Sequence, residues 1–223
     1  MLRAVEFLGA AGLVLVCSTA CSAPARQRAD AAEAPSSAAS AHGSAAKGPL
    51  EPEREFARRK FGGVQLTDQH GRARDVFEEL VRGKVVLVNF IYTECQGRCP
   101  LATETLVETR ALLPGVLGAE RARDVEFLSF SLDPARDTPD AFAAYADAHD
   151  IEGAWSFLTG PARELDALRH RLGFDDLDPV LDADRTQHAN FVLIGDEPRG
   201  RWLHVPLNLT PEQVAEAVAR VAR

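Results

Sequence analysis

The chain has 223 residues, 46% of them apolar, and a formal net charge of −8. That length suits one domain of ordinary size plus a leader, with enough apolar side chains for a sizeable core. The acidic balance repels phosphate backbones, which argues against nucleic acid as a partner, and it offers no polybasic patch for anionic lipid.

Met1-Leu2-Arg3 leads into an apolar run from Phe7 to Val16, followed by Cys17-Ser18-Thr19-Ala20-Cys21. A basic residue, a short apolar stretch and small residues before a cut describe a secretory signal. The run is shorter than the roughly 20 residues of a membrane span. Ser18-Thr19-Ala20 ahead of Cys21 resembles a bacterial lipoprotein signal, in which the cysteine is acylated and becomes the new N-terminus. Ser18 in place of leucine and Glu6 depart from that pattern, and an ordinary signal cut nearby or an uncleaved anchor are alternatives. Residues 1–21 are read as a signal peptide of lipoprotein type, with Cys21 the lipidation site and the membrane reached through this anchor. Residues 22–50 are Ala, Ser, Pro, Gly and scattered charge. Such a segment buries too little apolar surface to offset its ordering entropy, so it reads as a flexible linker. His42, within it, reads as a solvated histidine without a role.

The folded domain is expected over residues 51–223. A first short strand is expected over Phe61–Leu66, with a turn at Asp68-Gln69-His70-Gly71. Lys84–Tyr92 is nearly continuously apolar, as a parallel strand covered on both faces must be. Cys95 and Cys99-Pro100 follow it, and then a helical pattern from Leu101 to Leu112, closed by Pro114-Gly115. Val125–Ser131 is a second apolar strand. Thr138-Pro139 starts a helix that runs to about His149. Trp155–Thr159 is a short strand and Pro161–Leu172 a helix. Asn190–Ile194 and Arg201–Val205 form a hairpin, and Thr210-Pro211-Glu212 caps a last helix. Alternating strands and helices give an α/β class with a mainly parallel central sheet flanked by helices and a C-terminal hairpin and helix.

Four cysteines fall into two pairs, and Cys95/Cys99 is the pair in the folded part. One pair in a domain this large is a chemical site rather than a disulfide scaffold. It sits beyond the carboxyl end of a central strand, where open α/β sheets build sites. A helix N-terminus there favours a thiolate. The two sulfurs can close a disulfide, inert or redox-active, or present two soft ligands to one metal ion. The three intervening residues, Gln96-Gly97-Arg98, widen the bite beyond the two-residue spacing of thiol–disulfide enzymes, which favours a metal.

Thr93-Glu94-Cys95-Gln96-Gly97-Arg98-Cys99-Pro100, then Ser131-Leu132-Asp133-Pro134-Ala135-Arg136-Asp137-Thr138-Pro139, then a histidine just before a late strand, resemble the Sco/SenC family. The resemblance covers roughly 61–223. It implies a thioredoxin-like fold and a copper-binding assembly factor for the binuclear copper centre of cytochrome c oxidase. It implies copper ligation, as Cu(I) or Cu(II), by Cys95, Cys99 and His188, the last in Thr186-Gln187-His188-Ala189-Asn190-Phe191. It also implies a partner, the copper-bearing oxidase subunit or another extracytoplasmic cuproprotein, while the leader implies a membrane-anchored place in the bacterial extracytoplasmic space. The family has Pro-Asp between its cysteines and Asp before its histidine, where this chain has Gln96-Gly97 and Gln187. Fewer acidic neighbours weaken Cu(II) more than Cu(I) if those side chains act by charge.

The remaining histidines read as bystanders: His70 in a turn, His149 and His170 near helix ends, and His204 on an edge strand. Asp137 reads as a cap of the following helix together with Thr138, and Arg136 as a local ion-pair partner. The alternative function is an extracytoplasmic thiol–disulfide oxidoreductase, a reductase of client cysteines that needs Cys95 and Cys99 alone; a peroxidase of the same fold is a third.

Overall fold

The structure is a computed structural model that describes residues 51–95, 97–176, 178–183 and 190–223. Cys21, His42 and His188 lie outside the described residues. The first described element is a helix, α1 (Glu51–Phe61), which the sequence pattern does not announce. Its apolar face is narrow. Ala57 and Phe61 are buried, and Phe56 and Phe61 meet Trp202 at ring separations of 5.1 and 5.8 Å. Packing on that aromatic ring, rather than propensity, holds the helix. The strand expected from Phe61 therefore starts later. The chain leaves α1 through Gly62, where a Cβ would stand 2.3 Å from the Arg58 carbonyl oxygen, and Gly63 with φ +75°.

β1 (Gln65–Asp68) and β2 (Ala73–Asp75) form a hairpin around the expected turn. The buried Asp68 carboxylate ties it by accepting from the N–H groups of His70 (2.9 Å) and Arg72 (3.0 Å). A π-helical turn at Val76–Val81 leads into β3 (Val85–Ile91). Next come α2 (Arg98–Leu117), α3 (Ala119–Arg123) and β4 (Val125–Ser131). α4 (Pro139–Ala148), β5 (Trp155–Thr159), α5 (Ala162–Leu172) and α6 (Pro179–Ala183) follow. β6 (Phe191–Asp196), β7 (Arg201–Pro206) and α7 (Pro211–Val221) complete the order.

α2 does not close at Pro114-Gly115 but passes through Pro114 to Leu117. Proline forfeits the bond to the carbonyl one turn back. The neighbouring Leu113 is fully buried, and α2 lies along α7, with the Thr109 hydroxyl 3.4 Å from the Pro211 carbonyl. That packing carries the helix through the break.

The sheet has the order β2-β1-β5-β4-β3-β6-β7. β3, β4 and β5 pair in parallel, as expected for the centre, and the remaining pairings are antiparallel. Antiparallel strands thus flank the parallel core on both sides, not only at the C-terminal hairpin. Side chains of β3 alternate between two apolar layers. Leu87 and Ile91 meet α2, α4 and α7, while Val86, Val88 and Phe90 meet α1, the π turn and α5. Three polar groups lie within the first layer. Trp155 Nε1 donates to Ser129 Oγ (2.9 Å), which donates to Asn89 Oδ1 (2.7 Å), so burial leaves these atoms bonded. Among the described residues, no helix is long and apolar enough to cross a membrane.

Candidate functional site

Because β3 and β4 are parallel, their carboxyl ends open on one edge of the sheet, where Ile91 is paired with Ser131. The cysteine loop follows β3, and the loop 132–138 follows β4. β6 is antiparallel to β3, so its first residue, Phe191, belongs to the same edge. This is the edge at which open α/β sheets build sites.

A turn brings Cys95 N–H to the Tyr92 carbonyl (3.3 Å), and α2 begins at Arg98 after Gly97. No side chain caps that helix by an oxygen; instead the Cys99 N–H points at Cys95 Sγ, 3.4 Å away. The sulfur of Cys95 therefore occupies the place where a capping acceptor would sit, at the positive end of the helix. Cys95 is half-buried, Cys99 is 1% exposed, and both stand as thiols.

Their settings differ sharply. Partial burial acts to raise the Cys95 thiol, but hydrogen bonds from the Tyr92 side chain, the Cys99 and Gly97 backbone and the Cys99 side chain outweigh it. The net effect lowers the thiol from 9.0 to about 7. Burial pushes Cys99 up to about 12, helped by the neighbouring Cys95 and Asp137 charges and opposed by a hydrogen bond at the Tyr92 backbone. One sulfur is ready as a thiolate near neutral pH. The other gives up its proton only to a strong competitor such as a metal ion or a partner in a disulfide.

Asp137 is not the cap expected for α4. Thr138 caps that helix alone, its hydroxyl accepting from Ala141 N–H at 3.2 Å. The Asp137 carboxylate turns inward instead and bonds Thr93, Ser131 and Asp133. Arg136 does pair locally, with Asp133, and it also reaches Glu94 at 2.8 Å. The loop after β4 is thus tied to the cysteine loop by two successive residues. Further along, Arg169 grips Asp182 of α6 through both of its terminal nitrogens. That hydrogen-bonded pair holds the Asp182 carboxyl down to about 2.

The other histidines are placed as expected. His70 is exposed in its turn, His149 ends α4, and His170 lies 3.3 Å from Asp175 near the end of α5. His204 Nε2 meets the carbonyl of Leu172, the last residue of α5, at 3.0 Å. Among the described residues, no group of three or more His, Cys, Asp or Glu side chains is arranged to hold a metal. The described dithiol offers two soft sulfur donors, which suits Cu(I). Tyr92, Thr93 and the inward turn of Asp137 were not visible as site features in the sequence, although Thr93 and Asp137 both lie within the motifs quoted above.

A thioredoxin-like α/β domain with a dithiol at the head of a helix is the class that this fold and site define. The SCO1/SenC family model matches residues 53–223, and the chain belongs to that family. It is 34% identical over 96 residues to the SCO1 protein homolog of Bacillus subtilis, covering 43% of this chain and 47% of the relative. It is 29% identical over 164 residues to Protein sco1 of Schizosaccharomyces pombe, covering 70% of this chain and 59% of the relative. The chain thus spans about half to three-fifths of the length of these relatives. The solved structure of Bradyrhizobium japonicum ScoI with copper bound is similar, with 28% identity and a TM-score of 0.54, covering 70% of this chain and 96% of that one.

Proposed function

We propose that this protein binds copper through Cys95, Cys99 and His188 and delivers it to the copper-bearing subunit of cytochrome c oxidase or to another extracytoplasmic cuproprotein. The observation that carries this reading is the dithiol at the head of α2, with Cys99 N–H 3.4 Å from Cys95 Sγ, in a chain of the SCO1/SenC family. Two thiolates suit Cu(I), and an imidazole added to them suits Cu(II) as well. His188 precedes β6 by three residues, and β6 begins at the edge where the cysteine loop lies. The copper bound to the similar Bradyrhizobium protein supports the same reading. The N-terminal part completes it: residues 1–21 export the chain, lipidated Cys21 anchors it to the membrane, and residues 22–50 give domain 51–223 reach toward a membrane-bound client.

The test is a Cu(I) titration of the reduced full chain in a Cys17→Ser/Cys21→Ser background, so that leader thiols contribute nothing. One copper per chain is expected, lost in Cys95→Ser/Cys99→Ser and bound more weakly, by about 10-fold or more, in His188→Ala. A parent that takes up no copper, or a Cys95→Ser/Cys99→Ser variant that binds as well as the parent, contradicts the reading.

The placing of the two sulfurs, Cys95 half-buried at the head of α2 and Cys99 1% exposed, favours a second role, reduction of client disulfides. The sulfurs are split between about 7 and about 12. That is the asymmetry of a pair in which Cys95 attacks and Cys99 resolves. Both roles use the same dithiol.

A further inference from the structure

Copper binding and disulfide closure both require two sulfurs held within reach of each other, and the loop that carries Cys95 is tied to the loop after β4. Glu94 and Gly97 are exposed, and the turn bond from Cys95 N–H to the Tyr92 carbonyl is long at 3.3 Å. Beside the exposed Glu94–Arg136 ion pair, a buried attachment of this loop is Asp137, which is 0% exposed. One carboxylate oxygen accepts from both the N–H and the hydroxyl of Thr93, each at 2.8 Å. The other accepts from the Ser131 hydroxyl at 2.5 Å and the Asp133 N–H at 3.3 Å. All four donors are neutral, and the adjacent Arg136 directs its guanidinium to Asp133 and Glu94 instead.

Burying a carboxylate among neutral donors is unfavourable unless its lone pairs are filled, and here they are. The arrangement is not needed to start α4, because Thr138 already caps that helix and Pro139 opens it. Nor is it a sheet bond. Its effect is to clamp Thr93, two residues before Cys95, against the end of β4. We infer that Asp137 is a positioning residue for the dithiol: it fixes the approach to Cys95 so that the Cys95 sulfur stays over the first turn of α2, beside Cys99. Asp137 touches neither copper nor client. It lowers the ordering entropy left to lose when the sulfurs close on each other or on a metal ion. The inference deepens the proposed function and rests on the dithiol being its working centre.

The test uses the full chain with Cys17 and Cys21 replaced by serine, without copper, equilibrated in glutathione buffers. The reaction is protein disulfide plus two glutathione thiols giving protein dithiol plus glutathione disulfide, so two electrons and two protons move together. Asp137→Asn keeps the shape and one oxygen acceptor but removes the charge and turns one acceptor into a donor. Thr93→Val keeps the backbone N–H and the shape but deletes the hydroxyl. Asp137→Asn is expected to make disulfide closure about 10-fold less favourable, an upward shift of about 30 mV for a two-electron couple. Thr93→Val is expected to shift it the same way by a smaller factor, and it carries the test alone if Asp137→Asn fails to fold. Variants that melt earlier than the parent but equilibrate with glutathione at the parental ratio would overturn the inference and leave Asp137 as a stabiliser of the fold. A parent that binds no copper while the variants still shift their potential retires the copper reading and keeps the positioning role. A parent that binds copper while neither variant shifts retires the positioning role and keeps the copper reading.

Discussion

Cys95, in the turn before α2, and Cys99, in its first turn, are neighbours that do not share one environment. Cys95 sits where helix N–H groups and the Tyr92 side chain stabilise a thiolate, and Cys99, in the first turn of α2, sits in the apolar layer between that helix and the sheet. Iodoacetamide should therefore alkylate Cys95 of the reduced protein with a half-maximal rate near pH 7, and leave Cys99 unmodified until the pH nears 12 or the fold is lost. Peptide mapping of the alkylated chain checks this, and equal labelling of both at neutral pH contradicts it. The sign for stability follows from the same values. The folded Cys95 lies below its ordinary 9.0, so its contribution is full above about pH 9 and fades as the pH falls through about 7. Cys99 lies above 9.0, so its contribution is full below about pH 9 and fades as the pH rises through about 12. The cysteine pair was legible from its spacing alone, because strand, pair and proline make a recognisable series. Asp137 was not. In Asp137-Thr138-Pro139 either of the first two residues can cap a helix, and only the parallel pairing of β3 with β4, which sets Thr93 beside the loop after Ser131, decides that Asp137 turns inward.

The starts of the helices that open on a Thr-Pro pair were read correctly. Thr210 forms a capping box with Gln213, and Thr138 caps α4, both at the positions that Thr-Pro pairs announced. Thr210→Ala should cost about 1 kcal/mol in urea unfolding, since it leaves an N–H of the first turn of α7 without its acceptor. A loss near zero would mean that solvent replaces the hydroxyl. Among the described residues, three α-helices escaped the sequence pattern for different physical reasons. α1 has too few apolar residues for a clear period, and it exists through contact with Trp202, far along the chain. α3 and α6 have only five residues each, too short for any period to show, and α6 is held by the Arg169–Asp182 pair. α2 overran its expected end because the sequence shows Pro114 but not α7 packed beside it.

At the scale of the molecule, the apolar strand runs were the strongest signal, since strands covered on both faces have no polar alternation to blur them. β4 and β5 came out with the expected ends, Val125–Ser131 and Trp155–Thr159. The hairpin of β1 and β2 was half visible: its turn was plain, but strands of four and three residues carry little pattern. The same architecture gives the site its logic. Parallel β3 and β4 deliver two loops to one edge, antiparallel β6 starts from that edge, and the apolar layer beneath keeps water from one of the two sulfurs. The copper site proposed at this edge has two sulfurs and one imidazole. X-ray absorption at the copper edge, on the Cu(I)-loaded chain with Cys17 and Cys21 replaced by serine, tests it directly. Two sulfur scatterers and one imidazole nitrogen are expected, with the sulfurs lost in Cys95→Ser/Cys99→Ser and the nitrogen lost in His188→Ala. A first shell of nitrogen and oxygen alone, unchanged by those substitutions, would contradict it.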